Sequence, residues 1–326
     1  MVESKITDTL VISKRKWVTR FIRKNIVFVT LVVVIAFFSF ISPSFLTLQN
    51  MLNVGRQATY ITIIAAGMTL VIISANIDLS VGSTLAMASM VTALTIQATN
   101  QIALGFLAGI ATGALIGLIN GALITKGRIP SFLVTLGIMG AVRGIANIIT
   151  STLAVQIYKP LYWNLFGEGK IGGIFPVSII WTIAVLIVVH ILLRYTALGR
   201  YIYATGGNIQ AAKFTGVKID RVVIWAFVIT GILSALAGII LSGRMHAARP
   251  NIGAGLELDA IAAVILGGTS LYGGRGTIVG TLIGSLVIGT LNNGLILVGF
   301  DTYVQTMVRG IVIIAAVVFA GREGEN

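Results

Sequence analysis

Long apolar stretches alternate with short polar connections along the whole chain. Ten apolar stretches stand out, at 26–41, 60–74, 81–96, 102–124, 131–150, 175–193, 222–241, 258–266, 278–298 and 303–320. A helix needs about 20 residues to cross the roughly 30 Å of hydrocarbon in a bilayer. Nine of the ten reach or approach that length, and 258–266 is too short to span as a simple helix. The pattern predicts an all-α integral membrane protein: a bundle of about ten transmembrane helices with broken or short segments. Between the second and third stretches lies Asp78-Leu79-Ser80-Val81-Gly82-Ser83. A carboxylate beside such segments is tolerated mainly where protein or water surrounds it. The break therefore predicts a discontinuous spanning region beside a cavity or pathway, which fits a transporter better than a passive anchor.

The fourth stretch carries Gly105, Gly109, Gly113, Gly117 and Gly121. Glycines four apart share one helix face and let a second helix approach closely. Gly276, Gly280 and Gly284 repeat the device near the ninth stretch, and an offset of 172 residues brings Gly117 and Asn120 onto Gly289 and Asn292. With ten crossings the fourth and ninth helices run in opposite directions, as in inverted-topology repeats.

Only 10% of residues are charged and 56% are hydrophobic, against about 25% charged in a soluble domain. The net charge of +13 reflects Lys and Arg on cytoplasmic connections and predicts no nucleic-acid partner. Lys126, Arg128, Arg194, Arg200, Lys213, Lys218, Arg221 and Arg275 then fall on one side. Arg56, Lys159, Lys170, Arg244 and Arg249 form a thinner set on the other. Residues 1–25 read as a basic cytoplasmic segment, 26–321 as the membrane domain with a cytoplasmic loop at 194–221, and 322–326 as a cytoplasmic tail. The first stretch lacks a small-residue cleavage site and reads as an uncleaved helix.

Within the 194–221 loop, Gly206-Gly207-Asn208 signals a turn. A short helix is expected over 209–215, with Asn208 as N-cap, Gly216 at its end, and Ala211, Ala212 and Phe214 as a packing face. Such an element is either a handle for a partner or an ordered connector. The chemistry of an enzyme is missing: no cysteine, two histidines (His190 and His246), no phosphate-binding Gly-rich loop with Lys, no nucleophile elbow and no dense set of intramembrane acids.

Ile77-Asp78-Leu79-Ser80-Val81-Gly82-Ser83, the Gly199-Arg200…Gly207-Asn208…Ala211-Ala212…Gly216 loop, 258–268, 271–281 and Leu291-Asn292-Asn293-Gly294-Leu295 together resemble the permease subunits of bacterial sugar ABC importers. The resemblance covers nearly all of the chain after Pro43. It implies a multi-pass subunit of the bacterial inner membrane that forms the pathway for a monosaccharide such as ribose or a similar pentose or polyol. It implies a second permease copy, in a homodimer or pseudo-dimer, and an extracytoplasmic sugar-binding protein. It also implies a cytoplasmic ATPase that docks on Gly199, Arg200, Gly207, Asn208, Ala211, Ala212 and Gly216 and consumes the ATP, with no cofactor on this chain. Two departures stand out. Gln210 replaces the Glu of a related coupling motif, and Ser74-Ala75-Asn76 replaces the usual Gly-Gly before Ile-Asp-Leu-Ser.

Candidate pathway or break residues are Asn76, Asp78, Ser80, Arg143, Asp259, Asn292 and Asn293. Asp78 either faces the pathway or caps the third helix. Asn76 either tunes the pathway or caps a helix. Glu257 and Asp259 suit the N-terminus of the eighth helix. Arg143 either lines a cavity or extends its charge to the surface. Asn292 and Asn293 hydrogen-bond either sugar hydroxyls or neighbouring helices. A gradient-driven carrier is the alternative class.

Overall fold

The computed structural model describes residues 26–301, 303–308, 310–312 and 314. The helices are α1 Ile26–Ile41, α2 Leu48–Ile73, α3 Val81–Thr99, α4 Ile102–Gly127, α5 Ser131–Thr150 and α6 Val177–Tyr195. They continue as α7 Ala197–Gly207, α8 Ile209–Phe214, α9 Ile219–Met245, α10 Leu256–Leu266 and α11 Ile278–Leu297. Among the described residues, seven helices (α2 to α6, α9 and α11) are long and apolar enough to cross a membrane. Of the ten expected helices, seven stand as full-length spans and α1 and α10 are shorter; of the tenth stretch only residues 303–308, 310–312 and 314 are described, and these are helical. The basic segment 1–25 and the tail 322–326 lie outside the described residues.

Burial ranks the helices. Within their most apolar stretches α2 is 83% and α9 is 78% buried, whereas α4, α5 and α6 are 22–33% buried. The first pair is therefore the bundle's centre, and the others turn most of their surface outward. Position 60, where the sequence pattern starts the second helix, is late by twelve residues against Leu48. The early turns carry Asn50, Asn53, Arg56 and Gln57. Those polar side chains fit a helix because they have interior uses: Asn50 Nδ2 donates to the Phe45 carbonyl at 2.8 Å, and Arg56 and Gln57 line clefts.

The glycine ladder packs as expected. Gly105 and Gly109 meet Thr92 and Ile96 of α3, and Gly113, Gly117 and Gly121 meet Gly231, Phe227 and Ile224 of α9. A Cβ at Gly113 or Gly117 would strike a carbonyl oxygen of α9, so only glycine permits this backbone approach. On the other side, Gly289 of α11 packs on Ala58 of α2, and Thr69 Oγ1 lies 2.7 Å from Thr281 Oγ1 between the same two helices.

These contacts reveal the repeat. Moving α9 back by 172 positions gives 47–73, which is α2 within one residue. The same shift places α10 over α3 and α11 over α4. The contact of Gly67 with Thr230 and the cleft that Arg56 and Tyr60 share with Leu241 and Arg244 make α2 and α9 antiparallel, so the repeat is inverted. Each repeat's third helix packs on the other repeat's first helix. The two interruptions correspond as well: residues 74–80 follow α2, and residues 246–255 follow α9. The second residue of the first, Ala75 (φ 60°), and the first residue of the second, His246 (φ 55°), are both left-handed.

Gly117→Leu overpacks the α4–α9 seam, an effect of about 1–3 kcal/mol. It should lower the melting temperature and the monodisperse yield in detergent, read by size-exclusion chromatography after heating. Gly140→Ala, whose Cβ meets nothing within 4 Å, should leave both unchanged.

Candidate functional site

Two interrupted helices meet inside the bundle. The first interruption is held by a short polar chain. Asp78 Oδ1 accepts from the Ser80 amide at 2.8 Å and from Ser80 Oγ at 2.6 Å. Asn120 Nδ2 of α4 donates to Ser80 Oγ at 2.8 Å. Asp78, Ser80 and Asn120 are all buried. Asp78 thus holds the break through an Asx-type turn two residues on, and not by the expected cap on the first turn of α3, whose N-cap is Ser80. The remaining backbone donors find partners in α5: Ile77 N donates to Ser131 Oγ at 3.2 Å and Leu79 N to Thr135 Oγ1 at 3.1 Å. Asn76 donates to the Ser74 carbonyl at 2.9 Å, which is the local, capping alternative.

The second interruption is held by Arg143. Its Nη1 donates to the Pro250 carbonyl at 2.6 Å and the Ile252 carbonyl at 3.0 Å. These two carbonyl partners, about a hundred positions away, were not visible in a local pattern. Glu257 and Asp259 do lie in the first turn of α10. Glu257 Oε1 also accepts from Gly255 N at 3.1 Å. The two interruptions touch: a Cβ at Gly82 would strike the Glu257 carboxylate, with the Gly253 carbonyl 2.5 Å away.

At one end of α2 and α9 lie two adjoining clefts of ≈ 390 Å³ and ≈ 430 Å³ that share Tyr60, Leu241 and Arg244. Arg56, Glu168 and Lys170 line the first. Gln57, Asp259 and Asn292 line the second. Of the seven candidate pathway residues, Asp259 and Asn292 line the second of these clefts. Asn293 is buried beside it, and its Oδ1 has no partner among the described residues.

Residues 151–176 cover this end, and the sequence pattern missed their role. Val155–Gln156 pairs antiparallel with Ala247–Ala248. Tyr162 Oη donates to the Ile239 carbonyl at 3.0 Å and lies 2.8 Å from Ser242 Oγ. Burial pushes its phenol above the ordinary tyrosine range, so it stays a donor. Trp163 stacks on His246 at 4.0 Å between ring centroids, and His246 Nε2 lies 3.2 Å from Glu168 Oε2. The clustering of Tyr158, Tyr162, Trp163 and Phe166 in a connection was the available signal. Among the described residues no three His, Cys, Asp or Glu side chains form a metal-sized group.

At the opposite end the 194–221 connection folds into two helices, where a turn was expected before the second. Thr196 caps α7 by accepting from Gly199 N at 3.2 Å, and a Cβ at Gly199 would strike the Leu193 carbonyl. Asn208 caps α8 as expected, accepting from Ala211 N at 3.0 Å, and Gly216 closes it at φ 83°. The expected packing face is only partly correct. Ala212 is buried, Ala211 is exposed, and Phe214 is 90% exposed. Arg200 and Gly207 are also exposed. Sequence alone did not find Tyr203, whose Oη donates to the Gly276 carbonyl at 2.7 Å. Burial raises its phenol, opposed by Arg194.

Residues 50–317 match the family described as branched-chain amino acid transport system / permease component. Several relatives are close over nearly their whole length. The ribose import permease protein RbsC of Bacillus subtilis (strain 168) is 46% identical over 89% of this chain and 90% of its own. That of Escherichia coli (strain K12) is 41% identical over 95% and 97%. The D-allose transport system permease protein AlsC of Escherichia coli (strain K12) is 37% identical over 89% of each. No solved structure matches the chain. The chain belongs to this permease family and is a multi-pass membrane protein.

Because the chain has no cysteine, a single introduced thiol reports without background. Ile252→Cys, at a position 8% exposed, should label slowly with a water-soluble maleimide. Adding Arg143→Met removes both carbonyl contacts and should speed labelling by roughly tenfold or more, since the lost charged hydrogen bonds amount to about 1.5–3 kcal/mol each. In a second pair, Asp78→Asn keeps the Oδ1 acceptor and should melt near the parent. Asp78→Leu leaves the buried Ser80 amide unpaired and should be less stable by about 1–3 kcal/mol.

Proposed function

We propose that this chain is the membrane permease of an ATP-driven importer for ribose or a closely related monosaccharide. The near-full-length identity to proteins named ribose import permeases carries this reading, and the allose and arabinose permeases among the relatives set its chemical breadth. The cleft beside Asp259 and Asn292 offers the acceptors and amide donors that suit sugar hydroxyls, with Tyr60 beside them.

The α7–α8 end faces the cytoplasm in this reading. Lys126, Arg128, Arg194, Arg200, Lys213, Lys218, Arg221 and Arg275 all belong to it, as the positive-inside rule expects. Both termini are then cytoplasmic. The residue 151–176 cover faces outward, where a sugar-binding protein delivers its load, and a second permease copy completes the pathway. A separate ATPase docks on α7 and α8 and spends the ATP; this chain holds no nucleotide. ATP-driven closure of that ATPase shifts the bundle between outward-open and inward-open arrangements.

Proteoliposomes test the assignment. Vesicles with this chain, its ATPase and its binding protein should accumulate labelled ribose only with ATP inside the ATPase compartment. Accumulation by the chain alone, driven by an imposed ion gradient, would replace this reading with a gradient-driven carrier. The exposed Phe214 is the anchor for the ATPase. Phe214→Ala should weaken co-purification of the ATPase by roughly 30-fold in affinity, the size of an aromatic hot spot of about 2 kcal/mol, without altering the permease's melting temperature.

A further inference from the structure

We propose that the Ile73 carbonyl is the joint through which α7 and α8 move both interrupted helices, with Gly206 and Tyr203 as its positioning residues. The inference rests on the reading that α7 and α8 receive the ATPase.

Ile73 ends α2, and its carbonyl has no acceptor role left inside that helix. The Gly274 amide supplies the missing partner at 2.9 Å, across two hundred positions of sequence. Gly274 lies in the 267–277 connection that joins α10 to α11. One peptide hydrogen bond thus ties the interruption of the first repeat to the short helix of the second. Gly206 of α7 presses on the same spot. A Cβ there would land on the Ile73 oxygen and 2.7 Å from the Gly274 amide. Gly273 lies against the Gly206 backbone and the Ala75 side chain, and Gly274 against Gly207. Tyr203 adds a second tether from α7 to this connection, through the 2.7 Å bond to the Gly276 carbonyl.

Three backbones therefore meet without intervening side chains, and any displacement of α7 reaches Ile73 directly. From Ile73 it is five residues to Asp78, which holds the start of α3. From Gly274 the connection leads back to α10, whose first turn touches Gly82 of α3. The joint is also under-bonded. The hydroxyls of Thr205 on α7 and Thr269 beside Gly276 are buried with no hydrogen-bond partner among the described residues. A contact that leaves two such groups unpaired is easier to rearrange than one that satisfies them.

The test uses the whole importer in proteoliposomes, with labelled ribose as probe, and measures ATPase retention, ATP hydrolysis and ribose taken up per ATP. Tyr203→Phe removes one hydroxyl and no bulk; Gly206→Ala pushes the joint apart. Both should retain the ATPase and hydrolyse ATP, while ribose per ATP falls at least roughly fivefold, the low end of ordinary coupling between sites. Tyr203→Phe keeps the experiment decisive if Gly206→Ala fails to fold. An unchanged ribose-to-ATP ratio in Tyr203→Phe would overturn the joint. Loss of the bound ATPase in Tyr203→Phe would overturn it too, because it would make this a docking surface and not a transmission point. A wild-type chain that never retains the ATPase, while Phe214→Ala behaves like it, would remove the docking reading itself.

Discussion

Everything in this bundle depends on satisfying the backbone where helices stop inside it. Hydrocarbon offers no water to a free amide or carbonyl, so an interrupted helix survives only if protein supplies the partners. The 74–80 interruption receives them from Ser131, Thr135 and its own Asp78, while Asn120 bonds the Ser80 hydroxyl. The 246–255 interruption receives them from Arg143 and from the backbone of 155–157. Each interruption thus takes side-chain partners from α4 or α5, helices that otherwise turn most of their surface outward. This explains why helices with so little buried surface still carry buried polar residues such as Asn120 and Thr135.

The inverted repeat turns this constraint into a machine with two similar halves. α4 reaches α9 through bare glycine backbone, and α11 reaches α2 in the same sense. Each half therefore leans on the first helix of the other, and neither repeat packs alone. The interruptions meet where Gly82 faces Glu257 and Gly253. A shift in one break cannot occur without meeting the other, which is what a two-state pathway requires.

Much of this was legible in the sequence, and the failures share a cause. The spans, the glycine face and the capped α8 follow from local periodicity, each a property of one segment, and the 172-residue offset follows from comparing two such segments. The partners of Arg143, Tyr162 and Tyr203 were missed because they lie 107, 77 and 73 residues away. The early turns of α2 were missed because Arg56 and Gln57 look like loop residues until a cleft is present to receive them. Phe214 was read as part of a packing face, and among the described residues nothing covers it: it is 90% exposed, a state local pattern does not reveal.

The two ends of the central pair are held with unequal strength, and this sets the direction of control. Under the 172-residue shift, the C-terminal end of α2 corresponds to that of α9. The α9 end is fastened by a strand pair, the Tyr162 hydrogen bonds, the Trp163 and His246 stack and a backbone bond from Ile157 to the His246 carbonyl. The α2 end is fastened by the Gly274 bond and the Tyr203 tether, beside two threonine hydroxyls that have no partner among the described residues. A symmetric bundle pushed from within would yield at its weaker fastening. That fastening lies against α7, so the inverted symmetry of the core is broken by its two covers, and the cover with fewer bonds is the one adjoining the exposed α8 and Phe214.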